Sequence, residues 1–330
     1  MKSDNPFMIV TMGDAAGIGP EIVLSSLQRY FPERSRAVIV GGYDIFERAA
    51  DVVKSSLSLK RITKPEEGDY RPGVANIMDI AEPDPSKVPF GQVSALAGKS
   101  SVLAVRRAHE MSVNHSVKAI LSAPLHKQSI KEGGFSFGDE CDLMSDLTGA
   151  STPMMLLISE KMRMATLAPL HLPLKKACEN VTAERVLDCL GVLHNSLVSS
   201  FGVAKPSIAV AALNPHAGEG GMLGDEEVRH IVPAVSAAQN KGWDVSGPYP
   251  ADSLFFKASK GAFDAVLTMY HDQGRIAMKT TDFGKIVITM IGIPVPFLTV
   301  AHGTGHDIAG KGKADPSNFV DLLLFADRLN

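Results

Sequence analysis

The sequence predicts an α/β protein with a largely parallel sheet, organised as two lobes. Short apolar runs alternate with helical patterns over most of the 330 residues. Several of those runs are apolar on successive residues, as in strands covered by helices on both faces. The length also exceeds the roughly 100–200 residues of one typical domain, which predicts the second lobe.

Taken in order, FMIVTM (7–12) reads as the first strand. The helix GPEIVLSSLQRYF follows, with Pro20 near its first position and Glu21 in its first turn, a favourable start. RAVIVG (36–41) is the next strand. Residues 51–93 contain Pro65, Pro72, Pro83, Pro85 and Pro89 and predict an extended excursion with short strands. A long helix, SALAGKSSVLAVRRAHEMSV, leads into the strand KAILSA (118–123). Residues 128–153, rich in glycine and acid, read as a mobile or interface segment. Beyond them lie the strands MMLLIS (154–159), RMATLA (163–168), SIAVAAL (207–213), DAVLTM (264–269) and KIVITMI (285–291), and the helix TAERVLDCLGVLHNSLVSSF. Strands alternating with helices in this way argue for a parallel sheet. There is no internal repeat or low-complexity tract.

Composition narrows the function. Hydrophobic residues at 45% and charged residues at 21% fit a soluble protein with a large core. A net charge of −3 without a basic stripe argues against a nucleic-acid partner. No apolar run approaches the roughly 20 residues of a membrane span. The start MKSDNPFMIVTM goes almost directly into a strand, leaving no room for a signal peptide, so a cytoplasmic protein is expected. Cys141, Cys178 and Cys189 have no C-x-x-C spacing and are expected to be reduced and structural.

Three histidines follow predicted strands: His171 closes RMATLAPLH, His216 follows SIAVAALNPH, and His271 follows DAVLTMYH. Ligands of open α/β sheets collect beyond the carboxyl ends of strands, so three strand ends carrying imidazole predict a shared divalent metal. Zn²⁺ suits three histidines best, with Co²⁺, Mn²⁺ or Mg²⁺ as alternatives at an open site. A lone strand-end histidine more often caps a loop or bonds to backbone. Near the C-terminus, Gly305–Gly312 nearly matches a phosphate-binding P-loop, but Gly312 stands where Ser or Thr must reach Mg²⁺, so that reading is rejected. No G-x-G-x-x-G is present.

Five blocks, TMGDAAGIGPEIV (11–23), SAPLHKQSI (122–130), LNPHAGEGG (213–221), YHDQG (270–274) and AHGTGHDIAGKGKADP (301–316), together resemble the 4-hydroxythreonine-4-phosphate dehydrogenases of vitamin B6 biosynthesis. They occur in that family's order and span about residues 7–325. The resemblance implies the two-domain fold of isocitrate and isopropylmalate dehydrogenases, with α/β/α layers and a cleft between domains. Residues 1–127 with 300–330 would form the domain carrying the NAD loop, and 128–299 the domain carrying the metal ligands and dimer contacts. It assigns the metal to His171, His216 and His271, and NAD to the loop containing His302, Gly303, Thr304 and Asp307. A carboxylate at Asp307 would accept hydrogen bonds from the adenosine ribose and repel a 2′-phosphate, favouring NAD over NADP. The competing reading makes these glycines a tight turn and Asp307 the cap of a following helix. The resemblance also implies a homodimer whose active site is completed by the neighbouring chain, with residues 128–150 contributing to the contact.

The sequence departs from the family in the substrate pocket. The expected His–Thr pair falls on Asp139–Glu140, the lysine is kept as Lys279, the asparagine position is Ile288 and the arginine position is Phe297. Losing a bidentate arginine and a polar amide removes partners for a phosphate dianion. Two carboxylates make an anion still less welcome, predicting a less negatively charged substrate such as a sugar acid or diol carboxylate. Arg275 and Lys285, close in sequence to Lys279, could rebuild an anion site; Asp139 and Glu140 could equally sit on a solvated loop.

The expected chemistry is oxidation of a secondary alcohol of a hydroxy acid, with decarboxylation where a carboxylate lies beta to the new ketone. Lys127, beside His126, is the expected proton-transfer residue, because burial near a metal would lower its pKa; the alternative is a surface lysine. Asp252 reads first as the N-cap of ADSLFFKASKG, while the resemblance places it near the active site, that of the partner subunit included. Asn214 would orient a metal ligand or the cofactor. Two rivals are a metal-dependent hydrolase or lyase, unsupported by any H-E-x-x-H motif, and a catalytically silent ligand sensor, which intact metal ligands argue against.

Overall fold

The computed structural model describes residues 5–81, 83–137, 140–167, 172–282 and 286–329, without the side chains of residues 140 and 141. They fall into two compact units, residues 1–149 with 294–329, and residues 150–293.

The first unit contains, in chain order, β1 (Phe7–Thr11), α1 (Gly19–Arg29), β2 (Arg36–Gly41), α2 (Tyr43–Val53), β3 (Ser58–Ile62), β4 (Val74–Asp79), α3 (Ala95–Asn114), β5 (Val117–Ser122), α4 (Lys127–Glu132) and α5 (Glu140–Thr148). The second contains β6 (Met154–Ile158), β7 (Arg163–Thr166), α6 (Leu174–Glu179), α7 (Ala183–Ser199), β8 (Ser207–Ala211), α8 (Val232–Asn240), β9 (Asp244–Tyr249), α9 (Ala251–Ala258), β10 (Ala265–Thr268), α10 (His271–Asp282) and β11 (Val287–Ile291). The chain then returns to the first unit with β12 (Phe297–Thr299) and α11 (Ser317–Arg328).

Strands of the first unit run in the order β3-β4-β2-β1-β5-β12, all parallel. Those of the second run β11-β6-β7-β10-β8-β9. There β7, β10, β8 and β9 are parallel, while β6 is antiparallel to both neighbours. All eight apolar runs form strands, because each is buried: β1 and β10 are buried at every position. Helix starts follow local chemistry. Ser94 caps α3 by accepting from Ala97 N at 3.3 Å, and Thr182 caps α7 by accepting from Arg185 N at 3.3 Å.

The expected boundaries at 127/128 and 299/300 fall at 149/150 and 293/294 instead. Two contacts explain the shift. Helix α4 packs so closely on α3 that a Cβ at Gly98 would run into the Ser129 carbonyl. Strand β12 pairs with β5 from Phe297↔Ile120 to Thr299↔Ser122. The segment expected to be mobile or interfacial is thus partly helical, as α4 and α5. Among the described residues, no helix is long and apolar enough to cross a membrane. Cys178 and Cys189 are free, and burial pushes the Cys189 thiol up to about 11.

Candidate functional site

In the first unit, two of the recognised blocks are built into each other. The turn after β1 (Met12–Ile18) lies against the loop of residues 302–312. Ile18 N donates to Thr304 O at 2.9 Å, and a Cβ at Gly17 would come within 2.7 Å of that same oxygen. Glu21, 1% exposed, accepts from Gly310 N at 2.6 Å and Gly312 N at 3.2 Å. Burial pushes its carboxyl above the ordinary range, against the pull of those two amides. Glu21 therefore organises the loop, beyond the favourable helix start read from the sequence. Arg48 reinforces the turn by donating to Ala15 O at 2.9 Å, and its guanidinium stacks 4.0 Å over Phe90.

Within this loop Thr304 is buried, His302 Nδ1 lies 2.9 Å from Gly303 O, and Asp307 is exposed. No helix follows Asp307 directly; the next, α11, begins at Ser317. The helix-capping alternative for Asp307 is thereby excluded, and its carboxylate faces solvent on a loop whose backbone is fixed from below.

The same turn holds a cluster missed by the sequence analysis. Asp14, His126 and His306 each offer a ligating atom within 4.8 Å of the other two. Asp14 is fully buried; its Oδ1 accepts from Ala16 N at 2.7 Å, and its Oδ2 lies 3.9 Å from His306 Nε2. The His126 and His306 rings stack with centroids 4.4 Å apart and planes 18° apart. His126 caps α4, its Nδ1 accepting from Ser129 N at 3.2 Å. Burial pushes the Asp14 carboxyl up, against the Ala16 amide and the His306 charge, and pulls the His306 imidazole down. Both Asp14 and His306 lie inside quoted blocks, so a charged residue among glycines was the available signal.

In the second unit β7, β10 and β8 are parallel neighbours, so the loops that follow them leave one edge of the sheet. These are the loops expected to carry the metal. His171 lies outside the described residues, as do Asp139 and Lys285. The edge is stitched together. Thr166 and Thr268 hydroxyls meet at 3.2 Å, Leu167 N donates to Thr268 O at 2.8 Å, and Gln273 Nε2 donates to Ala212 O at 2.6 Å.

Two of the three histidines expected to bind the metal, His216 and His271, lie among the described residues. His271 opens α10, with Nδ1 2.7 Å from Asp272 Oδ1; His216 Nδ1 lies 3.3 Å from Glu219 Oε1. A carboxylate on Nδ1 fixes a ligating histidine and makes Nε2 the metal-binding nitrogen. His216 is held in an unusual backbone. Residues 216–220 all have positive φ, with His216 at 54°, Ala217 at 56° and Glu219 at 44°. Glu227, 2% exposed, over-determines this turn by accepting from Leu213 N at 2.8 Å, Asn214 N at 2.7 Å and Asn214 Nδ2 at 2.9 Å. Asn214 Nδ2 also donates to Glu226 Oε2 at 2.7 Å, so Asn214 serves the His216 turn. Nothing in GGMLGDEEV distinguishes Glu227 from a solvated helix acid.

Three expectations need correction or relocation. Lys127 is exposed at the first position of α4, so the burial invoked to tune it is lacking. Asp252 is not an N-cap; Pro250 holds that position and Asp252 is exposed within the first turn of α9, where its charge suits the helix dipole. Ile288 and Phe297 are core residues, 7% and 2% exposed. Ile288 packs with Leu157, Met164 and Met278, and Phe297 sits in β12 beside β5. Glu140 begins α5, and Lys279 is exposed on α10.

The pattern of the family described as pyridoxal phosphate biosynthetic protein PdxA matches residues 33–326. A curated relative from Clostridium botulinum, named "Putative D-threonate 4-phosphate dehydrogenase", is 36% identical over 327 residues, covering 99% of this chain and 97% of its own. The crystal structure of a 4-hydroxythreonine-4-phosphate dehydrogenase from Burkholderia phymatum is similar at a TM-score of 0.89 and 34% identity, over 98% of each chain. A terephthalate 1,2-cis-dihydrodiol dehydrogenase from Burkholderia xenovorans is similar at a TM-score of 0.73 and 26% identity, again over 98% of each chain. The family pattern and these full-length likenesses identify the chain as a member of the PdxA family and a dehydrogenase acting on a CH–OH group.

Proposed function

We propose that this chain is an NAD-dependent, divalent-metal-dependent dehydrogenase that oxidises the secondary alcohol of a phosphorylated hydroxy acid of the threonate type, with loss of CO₂. The observation that carries the reading is the shared edge of β7, β10 and β8, whose loops include His216 and His271, each with a carboxylate at Nδ1. Neutral imidazoles suit Zn²⁺ best, with Co²⁺, Mn²⁺ or Mg²⁺ as alternatives, and leave the site net positive. When bound, the cation would acidify the alcohol and steady the charge left by decarboxylation, and NAD would accept the hydride.

The chain's own groups divide the remaining work. Asp307, exposed on its fixed loop, would accept hydrogen bonds from ribose hydroxyls and exclude a 2′-phosphate. Lys279 supplies a cation for the substrate phosphate, and Lys127 can hold a proton beside His126. Asp139 and Glu140 are the positions we assign to substrate choice, and Asp252 completes the partner's site in a homodimer. Exposed Met222, Phe256 and Ile276, at 77%, 68% and 63%, are apolar surface that such a partner would cover. Taken with the lack of a membrane-spanning helix among the described residues, this fits a cytoplasmic metabolic enzyme.

The likeness to a terephthalate 1,2-cis-dihydrodiol dehydrogenase favours a second reading, a non-phosphorylated diol carboxylate. Following NADH absorbance with D-threonate 4-phosphate, D-threonate and a cis-diol carboxylate separates the two. Turnover should need the phosphate and disappear after complete chelation. Retained turnover in metal-free protein would refute the metal's role, and a preference for either unphosphorylated acid would select the second reading.

A further inference from the structure

The Asp14–His126–His306 cluster is tied to no step proposed above, and two of its atoms are conspicuous. Asp14 Oδ2 and His306 Nε2 are both buried and make no hydrogen bond of good geometry among the described residues, although the Ser129 hydroxyl is a polar neighbour of the Asp14 carboxylate. A buried carboxylate oxygen facing a buried imidazole nitrogen is costly unless something joins them. Their separation of 3.9 Å is too long for a hydrogen bond. It is a few tenths of an ångström beyond the roughly 3.3–3.6 Å between two donors of a tetrahedral ion at about 2.0–2.2 Å, so a small movement of His306 would bring both onto one cation. His126 supplies the third donor within 4.8 Å, and the side chain of His306, 18% exposed, leaves an approach from solvent.

We infer that Asp14, His126 and His306 form a metal site of the first unit, which takes a borderline transition-metal ion such as Zn²⁺ or Co²⁺. Two imidazoles and one carboxylate disfavour Mg²⁺ and Ca²⁺, which prefer all-oxygen shells. Three protein ligands leave the fourth position to water. The donors come from the turn after β1, the start of α4 and the residue before Asp307, so one ion would clamp three segments of the first unit.

Occupancy has structural consequences. In-plane lone pairs of two rings only 18° from parallel run side by side, so a shared ion must tilt the rings and move the loop bearing His306. His126 Nδ1 now accepts from Ser129 N, which puts the proton of the neutral ring on Nε2. Ligation through Nε2 moves that proton to Nδ1, where Ser129 Oγ at 3.1 Å can accept it. No proton is gained or lost in that exchange. If the dinucleotide reading of the loop holds, the ion also presets Asp307.

The test starts from metal-free protein carrying His216→Ala and His271→Ala, titrated with Co²⁺ and followed by visible ligand-field absorption and bound-metal analysis. One equivalent should still bind, with a spectrum of low coordination number. Adding His306→Phe keeps the ring stack and removes a ligating nitrogen, and it should abolish that equivalent. Asp14→Asn keeps an oxygen for the Ala16 amide and should weaken binding at least tenfold. Zn²⁺ should raise the unfolding temperature of the parent but not of either added variant. Absence of a bound equivalent in the parent, or its survival in both variants, would overturn the site. Neither readout depends on NAD, so failure of the dinucleotide reading shows separately, as unchanged cofactor binding when the site is filled.

Discussion

Two loops in this molecule are each gathered by one buried carboxylate, yet they store energy differently. Glu21 binds the amides of Gly310 and Gly312, and the positive-φ positions described in that loop, Gly305, Gly310 and Gly312, are all glycine. Glu227 binds Leu213 N and Asn214, and the turn it enforces puts His216, Ala217 and Glu219 at positive φ. Glycine takes that conformation without steric cost, whereas an L-residue with a side chain costs about 1–2 kcal/mol. The first loop is a relaxed platform. The second holds its histidine in a strained backbone, as ligand sites often do.

The largest effect expected from this contrast is at Glu227. Glu227→Ala strands three donors in a buried place and releases the strained turn, so unfolding free energy should fall by about 3 kcal/mol and activity should be lost. Urea unfolding and initial rates measure both, and a stable, active variant would erase the distinction between the loops. Next, His216→Ala should abolish turnover while changing stability by under about 1 kcal/mol, since the side chain is 70% exposed. Unchanged kinetics would remove His216 from the metal set. Glu21→Gln should raise the KM for NAD far more than it lowers kcat, because an amide NH₂ replaces one acceptor beneath the loop. Equal losses in the two parameters would mean Glu21 does more than position.

A smaller, opposite effect sharpens the comparison. Ala217→Gly should stabilise the protein by about 1 kcal/mol by relieving one left-handed position, whereas glycine substitution usually destabilises. A lowered melting temperature would show that the turn is not strained there. The smallest effect is on pH dependence. Burial depresses His306 below its ordinary 6.5, so the unfolded chain takes up a proton first as the pH falls below that value. Its contribution to stability is therefore present above pH 6.5 and is lost on acidification towards the depressed value. The fall in metal-free stability between pH 7 and 5 should be shallower in His306→Phe.

The runs at β1, β2, β5 and β10 were legible because burial on both faces demands unbroken apolar sequence. Strand β9 (DVSGPY) was not, and β3 (SLKRI) was legible only as one of the short strands expected within 51–93, since both are edge strands, and edges tolerate charge, glycine and proline. The strand ends that precede His216 and His271 could be read because strand-end position is a local property. Asp14 and His306, separated by 292 positions in the chain (306 − 14), have no spacing to read.

Periodicity and block order alone determined an α/β chain with these strand-end histidines and this glycine loop. Only tertiary structure decided which acids became anchors. Glu21 and Glu227 are ordinary helix-start glutamates in sequence, and burial against another segment, 289 residues away for Glu21 and 13 for the Asn214 contact of Glu227, makes each the acceptor that shapes a loop. The environment that sets a carboxylate's role is assembled by burial between segments that no local spacing joins, so it becomes readable only after folding.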